Sequence, residues 1–526
     1  MPQPAVFIRD ATGLTKELSL FDSIVYIMSL FSPGFAILLY TFYGPATFPG
    51  ADLIIAIAVI APFVMIHAIA AGQMMTAMPR SGFDYVFVSR VAHPAVGFTN
   101  NFTYFAFQGV LAGAYLALLN SYVGNYFITA GAITGNGSFA SVATMLSHPT
   151  TILAIGTILN LIIMFVVIGG LRISKFSILG LQVIGWISLV IALGIIAFSS
   201  QGTFATAWDH YFGTQVSYAD IASVAASKGL VYGSGGNYLL GASVWAFFSI
   251  TGYQQIGFLG GEVKRAKTRI VEAMVLGLAI TLVVLAVGTY VIENTVGYGF
   301  LASAAYLTNN GVISVAPYYT LIDAVLVPNL GLMSFIYVGL AFFIITLLIG
   351  IYLSLTRVLF AWSFDSIIPT GFSKVSDRFH SPTRSTILIA ILLQGGLILS
   401  LYSTAGSFLN LSLVICLVYV VDCTVAALFP VLKPAMFNSS PGIASYKIGG
   451  KVPLISVTST IAGVFFAILA GETIINPSVA GLITPTSLET IAGTAILGLV
   501  IYLIARTYHK SHGIPLNLVF SEIPPE

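Results

Sequence analysis

Two short runs of the sequence place helix-breaking residues and hydroxyls in the middle of long apolar stretches. Residues 32–35 read Ser-Pro-Gly-Phe, and residues 249–252 read Ser-Ile-Thr-Gly. Such residues break a helix, and the break leaves backbone N–H and C=O groups that need new partners. The N-terminal end of a half-helix attracts a carboxylate, whereas the C-terminal end attracts an ammonium group. A free amino acid carries both groups, so the two runs predict a binding site for such a molecule.

Either run taken alone is better explained as a kink without function, because membrane helices tolerate proline and glycine. Their positions favour a function. They interrupt the first and sixth apolar stretches, which correspond to each other when the chain is divided into two five-helix halves. Interrupted helices at matching positions are typical of inverted-repeat transporters that bind substrate near the middle of the membrane.

Ionisable side chains are rare within the apolar stretches, and Asp422 is the clearest example. It lies in the sequence Val-Val-Asp-Cys of the tenth stretch. Acids buried in a membrane are costly and usually bind ions, carry protons or pair with other residues. The alternative is a structural, protonated aspartate bonded to a neighbouring backbone carbonyl. The sequence leaves both interpretations open.

The composition indicates what kind of protein holds these residues. Of the 526 residues, 57% are hydrophobic and only 7% are charged, and the mean hydropathy is +0.98. Soluble domains carry about 25% charged residues, so this chain cannot cover a soluble surface. A net charge of +2, without a basic patch among aromatic residues, argues against a nucleic-acid partner. The two cysteines have no metal-binding spacing, and no cofactor is predicted.

Twelve apolar stretches are long enough to cross about 30 Å of hydrocarbon. The predicted fold class is therefore an all-α membrane protein with twelve transmembrane helices. The predicted spans are residues 21–43, 51–77, 96–129, 150–170, 176–199, 239–260, 271–292, 329–360, 385–404, 407–431, 452–473 and 488–507.

The spans group into larger units. We predict a cytoplasmic N-terminal segment at residues 1–20, a first five-helix repeat at 21–199 and a second at 239–431. Helices 11 and 12 follow at 452–507, and a cytoplasmic tail occupies 508–526.

The basic residues support this arrangement. With both termini in the cytoplasm, nineteen of the twenty Lys and Arg residues fall in inner segments, and only Lys228 lies outside. A wrong number of helices would scramble this asymmetry, so the positive-inside rule supports both the number and the orientation. We therefore predict a multi-pass protein of the cell membrane.

Several motifs, in order along nearly the whole chain, resemble the amino acid–polyamine–organocation superfamily of transporters. Residues 32–35 are similar to its Gly-Ser-Gly-Ile run, and residues 78–85, Met-Pro-Arg-Ser-Gly-Phe-Asp-Tyr, to its loop after helix 2. Residues 246–264, which end in Gly-Glu-Val-Lys, resemble helix 6 and the motif that closes it. Residues 357–369 resemble the loop after helix 8, and residues 523–526 resemble the tail of prokaryotic members.

The resemblance implies the LeuT-type fold, a five-plus-five inverted repeat whose helices 1 and 6 are broken. Helices 1, 3, 6, 8 and 10 would surround the substrate. Phe248 would be an aromatic gate, and Tyr104 on helix 3 would be a wall residue. The residues implied at the substrate carboxylate are Ser32 together with Pro33, Gly34 and Phe35, the last three through backbone N–H groups. Those implied at its ammonium group are Ser249, Ile250 and Thr251, with Gly252 permitting the bend.

The driving ion is predicted from the same resemblance. Sodium-coupled relatives of this fold place two small hydroxyl residues in the middle of helix 8, but residues 335–353 contain only Thr346. Some proton-coupled relatives place a lysine in the middle of helix 5, at the position where this sequence has Gly185. Because neither arrangement is complete, Asp422 is the best embedded proton carrier. This favours proton symport over uniport or exchange.

The predicted function is secondary active transport of an amino acid by alternating access. A neutral amino acid is favoured because neither break contains a charged residue. The predicted partners are this substrate, membrane lipid and a coupling proton, and the oligomeric state stays open. An amino acid exchanger and a transporter of polyamines or other amines are alternatives of the same class. A membrane-embedded sensor or channel is the alternative outside it; no motif of an embedded enzyme is present.

Overall fold

The computed structural model describes residues 16–376, 378–403, 410–475, 484–512 and 519–520. Most of the predicted N-terminal segment therefore lies outside the described residues. So do the first residues of the tenth predicted span, 407–409, and the tail motif at 523–526.

Helices form almost all of the regular structure. The first ten are α1 (Leu20–Phe31), α2 (Pro33–Thr47), α3 (Leu53–Ala77), α4 (Phe83–Val91), α5 (Pro94–Thr134), α6 (Ser138–Ser147), α7 (Pro149–Ile168), α8 (Leu171–Ala197), α9 (Gln201–Phe212) and α10 (Ile221–Ser227).

The second half begins with a helix that is followed by a long 3-10 segment. Its elements are α11 (Gly236–Ser249), a 3-10 segment (Tyr253–Glu262), α12 (Ala266–Val296), α13 (Tyr298–Asn309), α14 (Tyr319–Leu326), α15 (Leu330–Phe364), a 3-10 turn (Thr370–Ser373), α16 (Thr383–Tyr402), α17 (Leu411–Leu432), α18 (Pro434–Ser439), a 3-10 turn (Gly442–Ala444), β1 (Lys447–Ile448), β2 (Val452–Pro453), α19 (Leu454–Ile475) and α20 (Pro485–Ser511). The two strands pair antiparallel.

Eleven helices within the described residues are long and apolar enough to cross a membrane, which confirms the all-α membrane class. They correspond to eleven of the twelve predicted spans, with ends shifted by a few residues. The sixth predicted span, 239–260, is not a continuous helix because α11 stops at Ser249. The number twelve therefore stays a prediction.

The first break divides α1 from α2 at Ser32. Ser32 adopts the left-handed conformation, with φ 54° and ψ 83°, and caps the end of α1. Pro33 then occupies the first position of α2, where its missing N–H is tolerated. The chain thus restarts a helix immediately, and the break is one residue long.

The second break is longer and is followed by a different kind of helix. After Ser249 the chain turns through Ile250 and Thr251 to Gly252, whose φ is 115°. This conformation favours glycine, which has no Cβ to clash with the backbone. The ten residues of the 3-10 segment then carry the chain on.

The longest helices form the frame around the breaks. Helix α15 packs against α8, α5 and α1, while α3 packs against α12 and α19. The connections between spans are not simple loops: α9 and α10 precede α11, and α13 and α14 lie between α12 and α15. Helix α14 is buried from Tyr319 to Val325, so this connection folds into the protein.

Candidate substrate site

The two breaks are in direct contact. A Cβ placed on Gly252 would lie 3.0 Å from Cβ of Leu30 and 3.4 Å from its carbonyl oxygen. Leu30 belongs to the last turn of α1, just before the first break. The structure therefore brings together residues that are more than two hundred positions apart in the sequence.

Backbone donors are unpaired where α2 begins. The N–H groups of Gly34 and Phe35 have no hydrogen-bond partner in the described part of the chain. The buried hydroxyl of Ser32 also lacks one among these residues. Pro33 has no N–H and so cannot be the donor that the resemblance implied. Two N–H groups at the positive end of a helix are a suitable arrangement for a carboxylate.

Backbone acceptors are unpaired at the second break. No described residue donates a hydrogen bond to the carbonyl oxygens of Ile250 and Thr251. The nearby hydroxyls are occupied, since Ser249 donates to the Trp245 carbonyl and Thr251 to the Phe248 carbonyl, both at 2.9 Å. What this break offers to a cationic group is therefore backbone oxygen.

Phe248 is part of a row of aromatic rings beside the second break. It is half-buried and packs edge-to-face on Trp245, with ring centroids 6.1 Å apart. Trp245 in turn stacks on Tyr43 of α2 at 5.0 Å and 11°. Phe248 is thus only partly covered by the protein, and its role as a gate stays a prediction.

Tyr104 lies beyond the breaks. Its ring stacks on Phe258 of the 3-10 segment, with centroids 6.0 Å apart, and its hydroxyl has no partner among the described residues. It therefore contacts the element that follows the second break.

The sequence analysis did not identify three tyrosines that lie near the first break. Phe35 packs edge-to-face against Tyr115 at 5.6 Å and Tyr122 at 6.1 Å, both on α5. Tyr319 of α14 reaches Gly34, where a Cβ would lie 2.7 Å from its hydroxyl. The spacing of seven residues puts Tyr115 and Tyr122 on the same face of a helix, and this pattern could have been recognised in the sequence. Nothing in the sequence around Tyr319 indicates that it approaches Gly34.

The chain matches the family model described as "Amino acid permease" over residues 25–518. The chain belongs to the amino acid permease family. Comparison with curated proteins gives no match. The family consists of transporters of amino acids and related amines, not of enzymes, so the permease is a multi-pass membrane transporter.

The ion-site residues predicted from relatives lie close to the first break. Thr346 is fully buried in α15 and donates its hydroxyl hydrogen to the Phe343 carbonyl at 2.9 Å. The ring of Phe343 would lie 3.1 Å from a Cβ on Gly185 and 2.9 Å from one on Gly34. In this permease an aromatic ring therefore fills the space beside Gly185.

Asp422 is buried and is hydrogen-bonded to a side chain of a neighbouring helix. Asn100 of α5 donates from Nδ2 to Asp422 Oδ1 at 2.9 Å, and to the Val418 carbonyl at 3.4 Å. The partner is thus an amide donor and not a backbone carbonyl. A role in proton coupling stays a prediction.

A second buried carboxyl group, that of Asp84, is held by the asparagine that follows Asn100. Asn101, adjacent to Asn100, donates from Nδ2 to both oxygens of Asp84 at 3.0 Å. Trp362 donates to Asn101 Oδ1 at 3.0 Å, which fixes the orientation of the amide. Burial raises the pKa of Asp84 to about 7. Two neighbouring asparagines therefore hold two buried acids, a pair that the sequence analysis did not identify.

Two buried ion pairs, which we call the arginine cluster, consist of Arg357 with Glu262 and Arg90 with Asp365. Arg357 makes two bonds to Glu262, at 2.7 and 2.9 Å, and Arg90 contacts Asp365 at 2.8 Å. The Tyr85 hydroxyl also donates to Asp365, at 2.7 Å. Glu262, Arg357 and Asp365 belong to the motifs that carried the resemblance, and the structure pairs Glu262 with Arg357 and Asp365 with Arg90.

Proposed function

We propose that this permease carries a neutral amino acid across the plasma membrane by alternating access, with the substrate held between the two breaks. The observation that carries the proposal is the pairing of unsatisfied backbone groups. Gly34 and Phe35 offer N–H donors, Ile250 and Thr251 offer carbonyl acceptors, and the two breaks are in contact through Leu30 and Gly252. A zwitterion satisfies both sets, whereas an amine or an acid alone satisfies only one.

The surroundings of the breaks support a neutral side chain. The side chains packed on the first break are aromatic or apolar: Phe35, Tyr115, Tyr122 and Phe343. None of them offers a counter-charge, and an unpaired ionic side chain would be costly to bury there. Binding of arginine or glutamate in preference to every neutral amino acid would contradict this part.

The topology completes the proposal. Both termini would lie in the cytoplasm, as the distribution of Lys and Arg indicates. Residues 21–199 and 239–431 would be the two inverted five-helix repeats, because each begins with a broken helix. Cysteine labelling from either side of sealed vesicles, at single cysteines placed at Lys510 and Ala222 in a cysteine-free background, tests the orientation.

Proton symport through Asp422 is the coupling mechanism we propose. Asp422 is a buried acid in the middle of α17, and its one described side-chain partner is the neutral amide of Asn100. A neutral partner permits both the charged and the protonated form, whereas a buried arginine would keep the carboxylate charged. Moving one charge through 100 mV is worth about 2.3 kcal/mol, or roughly fiftyfold accumulation.

Uptake into proteoliposomes tests substrate and coupling separately. A thermal-shift screen against the common amino acids first names the ligand, since binding at a hundredfold excess stabilises the protein by about 2.7 kcal/mol. Uptake of that ligand is then measured under an imposed pH gradient without sodium. The Asp422→Asn protein should bind the amino acid but not accumulate it inside the proteoliposomes. The Asp220→Asn protein, which is changed at an exposed site, should both bind and accumulate it. Accumulation that requires sodium and survives a proton ionophore would contradict proton coupling.

A further inference from the structure

Helix α14 carries three oxygen-bearing side chains that are deeply buried. Tyr319, Thr320 and Asp323 are 0%, 1% and 2% exposed. The Tyr319 hydroxyl and both carboxyl oxygens of Asp323 have no hydrogen-bond partner in the described part of the chain, and the Thr320 hydroxyl lies beside that of Tyr337. We call these three residues the α14 cluster. Buried polar groups of native proteins nearly always have a partner, so a cluster of orphans indicates a ligand.

The three side chains lie on one side of their helix. Asp323 is four positions after Tyr319 and three after Thr320, and residues at these spacings are neighbours on a helix surface. The Asp323 carboxylate is close enough to interact electrostatically with the hydroxyl groups of both Tyr319 and Tyr337. Helices α14 and α15 pack against each other, so these side chains lie near one another at that contact.

Tyr337 adds an oxygen whose hydrogen is already used. Its hydroxyl donates to Asn125 Oδ1 at 2.8 Å, and the Thr129 hydroxyl lies 3.4 Å from the same oxygen, which still has a lone pair to offer as an acceptor. The region thus has a carboxylate and hydroxyl oxygens, which are the ligands that hard cations prefer.

No basic side chain of the described residues balances the charge of Asp323. Within the described residues no Lys, Arg or His is close enough to form an ion pair with it, although other buried carboxylates of the chain have such a pair. Protonation would remove the charge but would still leave the carboxyl without a hydrogen-bond partner. A cation relieves both costs, because it supplies the opposite charge and takes the oxygen lone pairs as ligands.

A single carboxylate favours a monovalent ion. No group of three or more His, Cys, Asp or Glu residues that could hold a multivalent metal occurs in the described chain. We propose that Tyr319, Thr320 and Asp323, together with the Tyr337 oxygen, form a binding site for a monovalent metal cation, with sodium as the probe. The site is separate from the helix 8 position of Thr346, and the proposal does not require that the ion be transported.

The position of Tyr319 connects this site to the first break. Its hydroxyl would be 2.7 Å from a Cβ on Gly34, while its backbone is one helical turn from Asp323. An ion held by the α14 cluster therefore fixes the residue that packs over the unpaired N–H groups. Bound sodium should strengthen amino acid binding, a second consequence that rests on the proposed function.

The test measures sodium binding to the purified full-length protein, without any transport assay. The unfolding temperature is recorded in increasing sodium chloride, with choline chloride keeping the ionic strength constant. We expect a saturable rise of about 3 °C in sodium. Asp323→Asn should abolish the rise, and Tyr319→Phe should weaken sodium binding about tenfold. Asp220→Asn, which changes an exposed carboxylate, should leave the rise intact.

Binding of radioactive sodium to the unmodified protein provides a second readout that does not depend on how the variants fold. Sodium-22 should bind and be displaced by unlabelled sodium but not by choline. No sodium-22 binding, or a rise in unfolding temperature that is equal in Asp323→Asn, would overturn the proposal. Stabilisation by putrescine with none by sodium would also overturn it, because the cluster would then bind an organic ammonium group. Failure of the amino acid screen would not affect these results.

Discussion

The arginine cluster and the α14 cluster are both deeply buried, but they differ in whether their charged groups have partners in the protein. In the first, Arg357 and Glu262 satisfy each other with two hydrogen bonds. In the second, Asp323 has no protein partner among the described residues, and the same is true of the backbone groups at the breaks. Paired groups stabilise the protein itself, whereas unpaired groups indicate where something else binds. Changes in the two kinds of region should therefore have different consequences.

The largest effect is expected where the unpaired backbone groups are blocked. Gly252→Leu or Gly34→Leu should abolish substrate binding, because Gly252 has a left-handed φ and contacts Leu30, while Gly34 faces Tyr319 and Phe343. Ligand-induced thermal shift measures the loss, and membrane insertion is checked by yield.

The control for this change is another glycine. Gly180 lies on the exposed surface of α8, and a Cβ there would meet no atom within 4 Å. Gly180→Leu should keep full binding. Normal binding by either break variant would mean that the breaks are kinks without a function.

A change in the arginine cluster should act on stability first. Arg357→Ala leaves Glu262 as an unpaired buried charge and should cost about 3–5 kcal/mol of unfolding free energy. Arg269→Ala removes a pair of similar type in which the side chains are 44% and 39% exposed, and should cost below about 1 kcal/mol. Denaturation in detergent measures both. Equal losses would remove the distinction between buried and exposed pairs.

A smaller effect is expected at the aromatic row. Phe248→Ala should weaken substrate affinity roughly tenfold without unfolding the protein, since an aromatic contact contributes about 0.5–1.5 kcal/mol beyond its buried area. Phe198→Ala, at a residue that is 96% exposed, is the matched control. Unchanged affinity in the Phe248 variant would exclude this residue from the site.

The smallest effect concerns Asp84. Because burial raises its pKa to about 7, the folded state keeps a proton that the unfolded state releases near pH 4. The folded state therefore binds more protons between pH 4 and 7, and this group lowers the stability as pH rises through that range. Asp84→Asn should flatten the pH dependence of the unfolding temperature there. An unchanged slope would mean that Asp84 is ionised throughout.

The sequence predicted the membrane spans and both breaks well, because each depends on local chemistry. Apolar stretches of the right length indicate spans, and Pro33 and Gly252 interrupt them by their own backbone properties. It also placed Glu262 and Arg357 in recognisable motifs, but it could not tell that they pair with each other.

What the sequence did not predict depends on contacts between distant segments. The connection before α15 falls between two predicted spans, yet α14 is buried and brings Tyr319 to Gly34. Asp323 sits in a stretch too short to be read as a membrane span, so nothing local shows that its carboxylate is buried. Likewise, Asp84 and Asp422 are held by adjacent asparagines only because α4, α5 and α17 pack together.

The central claim is that unpaired backbone groups at two touching breaks bind both ends of a zwitterion. The most direct test compares the affinity of the best amino acid ligand with that of its amine, which lacks the carboxylate, and its acid, which lacks the ammonium group. Each loss removes a set of charge-assisted hydrogen bonds and leaves one break unsatisfied, so both analogues should bind at least about a hundredfold more weakly. An amine or an acid that binds as tightly as the amino acid would contradict the claim.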